Sequence, residues 1–264
     1  MERYFKEKYQ FNDLVDIVRI LREPGGCPWD MEQTHQSIRE NFLEETYEVI
    51  EAIDTNNKEL MQEELGDVLL QVLMHSDMAR TDGWFTIDEV ANDICQKLII
   101  RHPHVFGDIS VSSTGEVLKN WDDIKRQTKK QKSQSEAMAA IPATYPALMK
   151  AQKVQEKAKK AGFDWRDSQG AFDKIAEESK ELQEVLATGD KEKIEDELGD
   201  LFFSVVNTAR FCGCDAETAL EKATQKFMKR FTVTEKLAAE KGIDMKEASI
   251  EVLDELWDEA KKQN

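Results

Sequence analysis

Pairs of acidic residues three positions apart recur in the sequence, and their spacing would suit a metal ion. Glu178 and Glu181 form one such pair, and Glu197 and Asp200 form a second. Residues at i and i+3 share one face of a helix, so each pair presents two carboxylates side by side. Two helices packed with these faces together would gather four carboxylates, which is costly unless a cation neutralises them. An all-oxygen ligand set favours Mg²⁺, or Mn²⁺, over zinc.

The same acids occur twice, in two halves of the chain that resemble each other. Glu-Leu-Gly-Asp stands at 64–67 and 197–200, and Glu-Glu-x-x-Glu at 44–48 and 177–181, both at an offset of 133 residues. Further landmarks recur in the same order: Trp29 with Trp165, Lys97 with Lys226, Arg101 with Arg230, and Trp121 with Trp257. This agreement indicates an internal duplication. The first-half acids that match the second-half set are Glu45, Glu48, Glu64 and Asp67.

A solvated helix face is the alternative to a metal site, because acidic side chains are mostly exposed. Two observations favour the metal site. The acids return at a constant offset while the residues between them diverge, and apolar residues directly follow Asp67 and Asp200. Each aspartate therefore stands at the edge of buried structure.

Basic and aromatic residues in the second half have the spacing to bind an anionic ligand. Lys226 and Arg230 share one helix face. Trp257 and Lys261 share another. Cations on one face can bind phosphate oxygens, and an indole ring offers a stacking surface. The alternative is a solvated position for the cations and a core position for the tryptophan.

Two further polar residues stand close in sequence to the second-half acids. Asn207 lies two turns after Asp200 in an apolar stretch, so its amide needs a hydrogen-bond partner in a ligand or in a neighbouring helix. Lys193 lies one turn before Glu197, and it either points toward the same site or forms an ion pair with Glu197.

Helices must position these residues, because apolar residues recur at three- and four-residue steps through most of the chain. The sequence shows no convincing alternation typical of strands, so the predicted fold class is all-α, with two tandem helical-bundle repeats. Nearly every long segment is predicted to be an amphipathic helix, for example Phe11–Arg22, Ile38–Thr55, Lys58–Arg80, Ile87–Arg101, Gly115–Lys132, Phe172–Thr188, Lys191–Phe211, Ala216–Lys241 and Ser249–Lys262.

A polar segment separates the two halves. Residues 126–137 contain no large apolar side chain, and Pro142 and Pro146 follow, each of which disfavours a continuing helix. We therefore predict the following division: a first repeat over 1–128, a linker over 129–146 and a second repeat over 147–264.

The composition excludes several classes of protein. With 36 basic and 53 acidic residues, the 264-residue chain carries a net charge of −17, which repels the phosphate backbone of nucleic acids. The N-terminus carries charges where a signal peptide needs an apolar stretch, and no apolar run approaches the roughly 20 residues of a membrane span. The four cysteines fit free thiols in a reducing compartment. We expect a cytoplasmic protein that binds neither nucleic acid nor membrane.

Two further motifs accompany the acids: GCPWD at 26–30 and RHPHVF at 101–106. With the duplicated acid motifs, they resemble the MazG family of all-α nucleoside triphosphate pyrophosphohydrolases in its two-repeat form. The resemblance implies a homodimer that completes the helical bundle, and Mg²⁺-dependent hydrolysis of NTPs, ATP among them, and dNTPs to monophosphate and pyrophosphate. It implies that both acid sets bind metal. It implies substrate contacts by Lys193, Lys226, Arg230, Trp257 and Lys261.

The two halves differ in the polar groups that a nucleotide would need. Asn207 corresponds to Met74, and Lys193 corresponds to Leu60. Both differences remove a hydrogen-bond donor from the first half. We therefore predict that the second half is the main catalytic site, and that the first half is weaker, differently selective or mainly structural.

The mechanism suggested by these residues is metal-assisted attack of water on the α-phosphorus, with Glu178 or Glu177 as proton acceptor. Lys226 and Arg230 would neutralise the charge that develops on the leaving group. The alternative function is an acidic helical scaffold or regulatory protein that binds nucleotides or a protein partner without turnover. A di-iron bundle would need Glu-x-x-His on two helices, and this motif occurs only at 32–35.

Overall fold

The structure, a computed structural model, describes residues 5–111, 113–117, 120–121, 124 and 133–263. The chain divides into two compact units: unit 1, residues 1–128, and unit 2, residues 129–264. The described residues form helices, turns and loops with no strand among them, which confirms the all-α prediction. Within those residues, none of the helices combines the length and the apolar content required to cross a membrane.

The helices of each unit are numbered in chain order. Unit 1 contains α1 (Phe11–Arg22), α2 (Pro28–Glu32), α3 (Arg39–Asp54), α4 (Lys58–Thr81), α5 (Ile87–Arg101) and α6 (Pro103–Phe106). Unit 2 contains α7 (Gln134–Ala139), α8 (Ala147–Lys160), α9 (Ser168–Leu186), α10 (Lys191–Phe211), α11 (Ala216–Glu240) and α12 (Ile250–Lys262).

In unit 1, α3 and α4 pack against each other as a helical hairpin. Asn56 in the connection has φ 52°, in the left-handed region that asparagine tolerates better than most residues. Asn57 caps α4, because its Oδ1 accepts a hydrogen bond from the backbone nitrogen of Leu60 at 3.1 Å. The short turn brings the Glu-Glu-x-x-Glu segment of α3 alongside the Glu-Leu-Gly-Asp segment of α4.

The core of unit 1 lies where α1 packs on α4. Its buried apolar cluster consists of Val18, Ile38, Leu73, Met74 and Met78. Arg22 on α1 and Asp77 on α4 form an ion pair beside this cluster, with 3.2 Å between Nε and Oδ2 and both side chains 9% exposed. The first half therefore uses Met74 as a packing residue.

Unit 2 repeats the hairpin with α9 and α10. Gly189, at φ 68°, takes the place of Asn56 in the turn. Asp190 takes the place of Asn57 as the N-cap residue of the second helix. The two connections thus reach the same geometry with different residues, and each sets an acid-bearing pair of helices side by side.

Two of the remaining helices of unit 2, α8 and α11, contact α10 of this hairpin. Helix α8 packs against α10, where the buried Gln155 donates from Nε2 to the backbone carbonyl of Phe203 at 2.8 Å. Helices α11 and α12 pack against each other around Leu237, Ala238, Leu256 and Ala260. Helix α8 also contacts α11.

The structure differs from the sequence-based prediction near the middle of the chain. Helix α8 is absent from the predicted helices, and the predicted linker, 129–146, contains α7. Ser133 caps α7 by accepting a hydrogen bond from the backbone nitrogen of Glu136, and Ala137 is buried where α7 packs on α8. Residues 129–132 and most of the predicted helix Gly115–Lys132 lie outside the described residues.

Candidate active site

Three acids of unit 2 converge between α9 and α10. One carboxylate oxygen from each of Glu178, Glu197 and Asp200 lies within 4.8 Å of the others. Glu178 is 4% exposed, and its Oε2 is buried without a hydrogen-bond partner among the described residues. An unsatisfied buried acceptor costs about 1–3 kcal/mol, and more when it is charged. The donor set therefore fits a hard divalent cation.

The fourth predicted acid, Glu181, acts on this cluster through its charge. Burial raises the pKa of Glu197, and repulsion from Glu181, Glu178 and then Asp200 raises it further. Glu181 is not one of the three acids whose oxygens converge within 4.8 Å. The predicted set of four is thus a close group of three with Glu181 beside it.

Unit 1 contains a second acid cluster, and Asp67, which corresponds to Asp200, is not among its three converging acids. Carboxylate oxygens of Glu45, Glu48 and Glu64 lie within 4.8 Å of one another. Burial is the largest cause that raises the pKa of Glu45, and repulsion from Asp67 and Glu48 adds to it. The pKa of Glu64 is raised by burial and then by the charge of Glu48. In the described residues, no lysine or arginine forms an ion pair with these three acids.

Lys174 contacts the unit 2 cluster, and it is not among the site residues predicted from the sequence. Its Nζ lies 2.5 Å from Oε1 of Glu178 and 2.9 Å from Oε1 of Glu177. Hydrogen bonds from Nζ to Glu178 and then to Glu177 raise the pKa of Lys174 above its ordinary value. The only sequence signal for this contact is the i, i+4 spacing of Lys174 and Glu178 on a helix.

Asn207 and Lys193 bond to residues that the sequence analysis did not consider. The Oδ1 of Asn207 accepts hydrogen bonds from Arg210, at 2.7 Å from Nη2 and 3.1 Å from Nε. Arg210 also forms an ion pair with Asp164, at 2.5 Å. Lys193 pairs with its own N-cap, Asp190, at 3.5 Å rather than with Glu197. Its side chain is 65% exposed, so the ammonium remains accessible to a ligand.

Four of the predicted anion-binding residues lie on α11, which contacts α10, and on α12. Helix α12, which carries Trp257 and Lys261, packs on neither α9 nor α10 in the described part of the chain. The ring of Trp257 lies 5.0 Å from that of Phe227. On α11, the Nε of Arg230 is buried without a hydrogen-bond partner among the described residues, and Lys226 is exposed. A single chain thus leaves Trp257 and Lys261 away from the acid cluster.

A histidine pair in unit 1 was also missed. The Nδ1 atoms of His35 and His75 lie 2.7 Å apart, and the two rings stack at 5.0 Å. The ring of Trp84 also stacks on His35, at 5.2 Å. Burial lowers the pKa of His75, and the charge of His35 lowers it further. No local sequence signal connects these residues, because His35 and His75 are forty positions apart.

The fold and the site define the class: an all-α protein in which two helical hairpins each gather an acid cluster suited to a hard cation. The family model of the MazG nucleotide pyrophosphohydrolase domain matches residues 33–106 and 167–236. Each match spans one acid-bearing hairpin. The chain belongs to the MazG family of nucleotide pyrophosphohydrolases.

Whole-chain relatives agree with the family match. The chain is 49% identical over 251 residues to a Thermotoga maritima protein named nucleoside triphosphate pyrophosphohydrolase/pyrophosphatase MazG, with 95% of each chain covered. It is 42% identical over 257 residues to the nucleoside triphosphate pyrophosphohydrolase of Escherichia coli strain K12, covering 96% of this chain and 98% of that relative. The Bacillus subtilis protein YabN is 45% identical over 255 residues, which are 96% of this chain and 52% of that protein.

Proposed function

We propose that this protein hydrolyses nucleoside triphosphates to nucleoside monophosphates and pyrophosphate, with Mg²⁺ bound at the acid cluster of unit 2. The observation that carries the proposal is the buried Oε2 of Glu178, which clusters with Glu197 and Asp200 and has no hydrogen-bond donor among the residues that the structure describes. The names of the T. maritima and E. coli relatives support the reaction and the substrate class.

Glu178, Glu197 and Asp200 would hold the cation through carboxylate oxygens, with Glu181 as the fourth acid. When bound, Mg²⁺ supplies Lewis-acid stabilisation of phosphate oxygens and a more acidic bound water. The raised pKa of Glu197 means that cation binding must compete with protons at this carboxylate. Lys226 and Arg230 would neutralise charge on the departing pyrophosphate.

Glu178 and Glu177 are the two proposed proton acceptors. Each bonds Lys174 through one carboxylate oxygen. Among the described residues, no donor bonds to the buried Oε2 of Glu178, whereas the side chain of Glu177 is 57% exposed to water. Because this Oε2 is also the proposed metal-bound oxygen, Glu178 and Glu177 both stay candidate proton acceptors.

A homodimer is part of the proposal, because one chain does not bring α12 to the acids. Association would bury the exposed apolar side chains of α10 and α11, which include Phe202, Phe203, Phe227, Met228 and Phe231. Each Å² of apolar surface buried contributes about 25 cal/mol, so a shared face of this kind favours a dimer. Trp257 and Lys261 of one protomer would then complete the substrate site of the other.

Unit 1 is proposed to be weaker, differently selective or mainly structural. Met74, at the position of Asn207, is a buried core residue, and Leu60 replaces Lys193. A cytoplasmic location and the absence of nucleic-acid binding stay predictions that rest on the sequence, the second on the net charge of −17.

The test is product analysis with a panel of NTPs and dNTPs, with Mg²⁺ and with a chelator. We expect monophosphate and pyrophosphate in equal amounts with Mg²⁺ and no turnover with the chelator. Diphosphate and phosphate as products would contradict the proposed cleavage position. No turnover of any nucleotide would favour an acidic scaffold instead.

A further inference from the structure

Lys174 supplies a positive charge to the proposed metal site from within the chain. It precedes Glu178 by one turn of α9, and its Nζ lies 2.5 Å from Oε1 of Glu178. The side chain of Glu178 is 5% exposed and that of Lys174 is 34% exposed, so the ammonium reaches a buried carboxylate from the surface. In the described residues, no other ammonium or guanidinium pairs with Glu178, Glu197 or Asp200.

Unit 1 has no basic residue at the position of Lys174. The position that corresponds to Lys174, 133 residues earlier, is Asn41, which is neutral. Glu45, which corresponds to Glu178, has no ion-pair partner among the described residues. The two clusters therefore share two corresponding acids, Glu45 with Glu178 and Glu64 with Glu197. They differ in the third acid, Glu48 against Asp200, and in one internal cation.

Glu177 offers the ammonium a second position. Its Oε1 lies 2.9 Å from Nζ of Lys174, and its side chain is 57% exposed. A small rotation of the lysine side chain toward solvent would break the contact with Glu178 and keep the contact with Glu177. The ammonium of Lys174 therefore keeps a carboxylate partner when it leaves Glu178.

We propose that Lys174 is an internal counter-ion that opposes binding of the divalent cation at Glu178: the metal bonds to the unpartnered Oε2, and charge repulsion moves the ammonium from Oε1 onto Glu177. This inference rests on the proposed metal site of unit 2. A divalent cation bonded to Glu178 and an ammonium in contact with the same carboxylate would repel each other at short range, where screening by salt is weak. Lys174 thus lowers the metal affinity of unit 2 and neutralises the cluster when no metal is bound.

The test is Mn²⁺ binding to the full-length protein, with free Mn²⁺ measured by electron paramagnetic resonance. Glu45→Gln/Glu48→Gln serves as the parent, because it leaves the unit 2 cluster as the proposed site. In this parent, Lys174→Gln should lower the dissociation constant about tenfold, since it removes a charge in contact with a ligand. Lys174→Arg, which keeps the charge, should stay within about twofold of the parent.

The matched control is Lys180→Gln, which removes the same charge from the same helix. Lys180 forms an ion pair with Glu184 at 3.8 Å and with no other acid in the described part of the chain, and its side chain is 77% exposed. We expect a change of less than about twofold, because water and salt screen an exposed charge. Lys174→Met is the second variant, and circular dichroism and thermal melting show that each variant is folded.

Three outcomes separate the inference from the proposed function. Tighter Mn²⁺ binding in Lys174→Gln, but not in Lys180→Gln, supports the inference. Equal or weaker binding in folded Lys174→Gln and Lys174→Met overturns the inference and leaves the metal site in place. If the parent does not bind Mn²⁺ at all, the metal site and the inference both fail.

Discussion

At the scale of single residues, burial shifts the pKa values of acids in both clusters and of His75. Glu178 is buried with one oxygen unpaired, and burial is the largest cause of the raised pKa values of Glu197 and Glu64. A buried carboxylate favours its neutral form until a cation or a donor compensates it. The same desolvation keeps His75 neutral, since it lowers the pKa of that ring.

The His75 shift predicts how stability depends on pH. Its pKa is lowered in the folded state, so the unfolded chain binds a proton more readily below the ordinary histidine value of about 6.5. Stability from this group is therefore complete above about pH 6.5 and is lost as the pH falls toward the folded pKa. We expect the free energy of unfolding of the metal-free protein, measured in urea, to fall less between about pH 7 and 5.5 in His75→Phe than in the wild type. Equal losses in the two proteins would contradict this role of His75.

The residue types of the acid clusters were predictable, but several of their contacts were not. Two sequence features predicted that the acids of each half lie close together: their three-residue spacing on a helix and the constant offset between the halves. The structure brings together Glu45, Glu48 and Glu64 in unit 1, and Glu178, Glu197 and Asp200 in unit 2. The bond from Arg210 to Asn207 depends on side-chain rotamers that no periodic pattern specifies. Lys174 had only a local spacing signal, which is shared by many surface ion pairs.

At the scale of the elements, the two hairpin turns reach one geometry with different residues. Asn56 and Gly189 both have positive φ, at 52° and 68°. A Cβ built on Gly189 would meet no atom within 4 Å, so only the backbone conformation resists a larger residue there. The turn aligns α9 with α10, and the acid cluster depends on that alignment.

A pair of variants at this turn tests the argument. Gly189→Val should lower the free energy of unfolding by about 1–2 kcal/mol, because a β-branched residue is strained at positive φ. Gly189→Asn should lower the free energy of unfolding by less than about 0.5 kcal/mol, since asparagine tolerates positive φ and adopts it at the matching turn of unit 1. Urea denaturation measures both. A valine as well tolerated as the asparagine would show that backbone strain does not control the turn.

Helix boundaries were predictable where capping signals accompany the periodicity. Helices α1, α5 and α10 have the predicted bounds, and Thr86 at the start of α5 forms a capping box with Glu89. Helix α8 escaped prediction because its buried residue is Gln155, which a hydrophobic pattern counts as polar. Its bond to the backbone of Phe203 is a tertiary contact, and no local signal reveals it.

At the scale of the whole molecule, the duplicated halves each contain an acid cluster, but the residues around the two clusters differ. The all-α class and the repeat were predictable because periodicity and a fixed offset are properties of the sequence alone. The separation of α12 from the acids was not predictable, since it depends on how distant helices pack. The differences at Met74 and Leu60 favour unit 2 as the catalytic unit.

Matched variants of the two clusters test this division of roles. Asp200→Asn should lower turnover by about 100-fold or more, because it removes a proposed metal ligand while keeping the side-chain size. Asp67→Asn, the same change in unit 1, should stay within about threefold of the wild type, since unit 2 is the proposed main catalytic unit. Steady-state hydrolysis of one NTP with Mg²⁺ measures both, and melting curves show that they are folded. A larger loss in Asp67→Asn would assign catalysis to unit 1.

The most direct test of the central claim is hydrolysis of an NTP in water enriched in ¹⁸O, followed by mass spectrometry of both products. Attack on the α-phosphorus predicts one ¹⁸O atom in the monophosphate and none in the pyrophosphate, with Mg²⁺ required and with Asp200→Asn inactive. Label in the pyrophosphate would mean attack on the β-phosphorus and would contradict the account. So would unchanged labelling and rate in folded Asp200→Asn, because catalysis would then not depend on the unit 2 cluster.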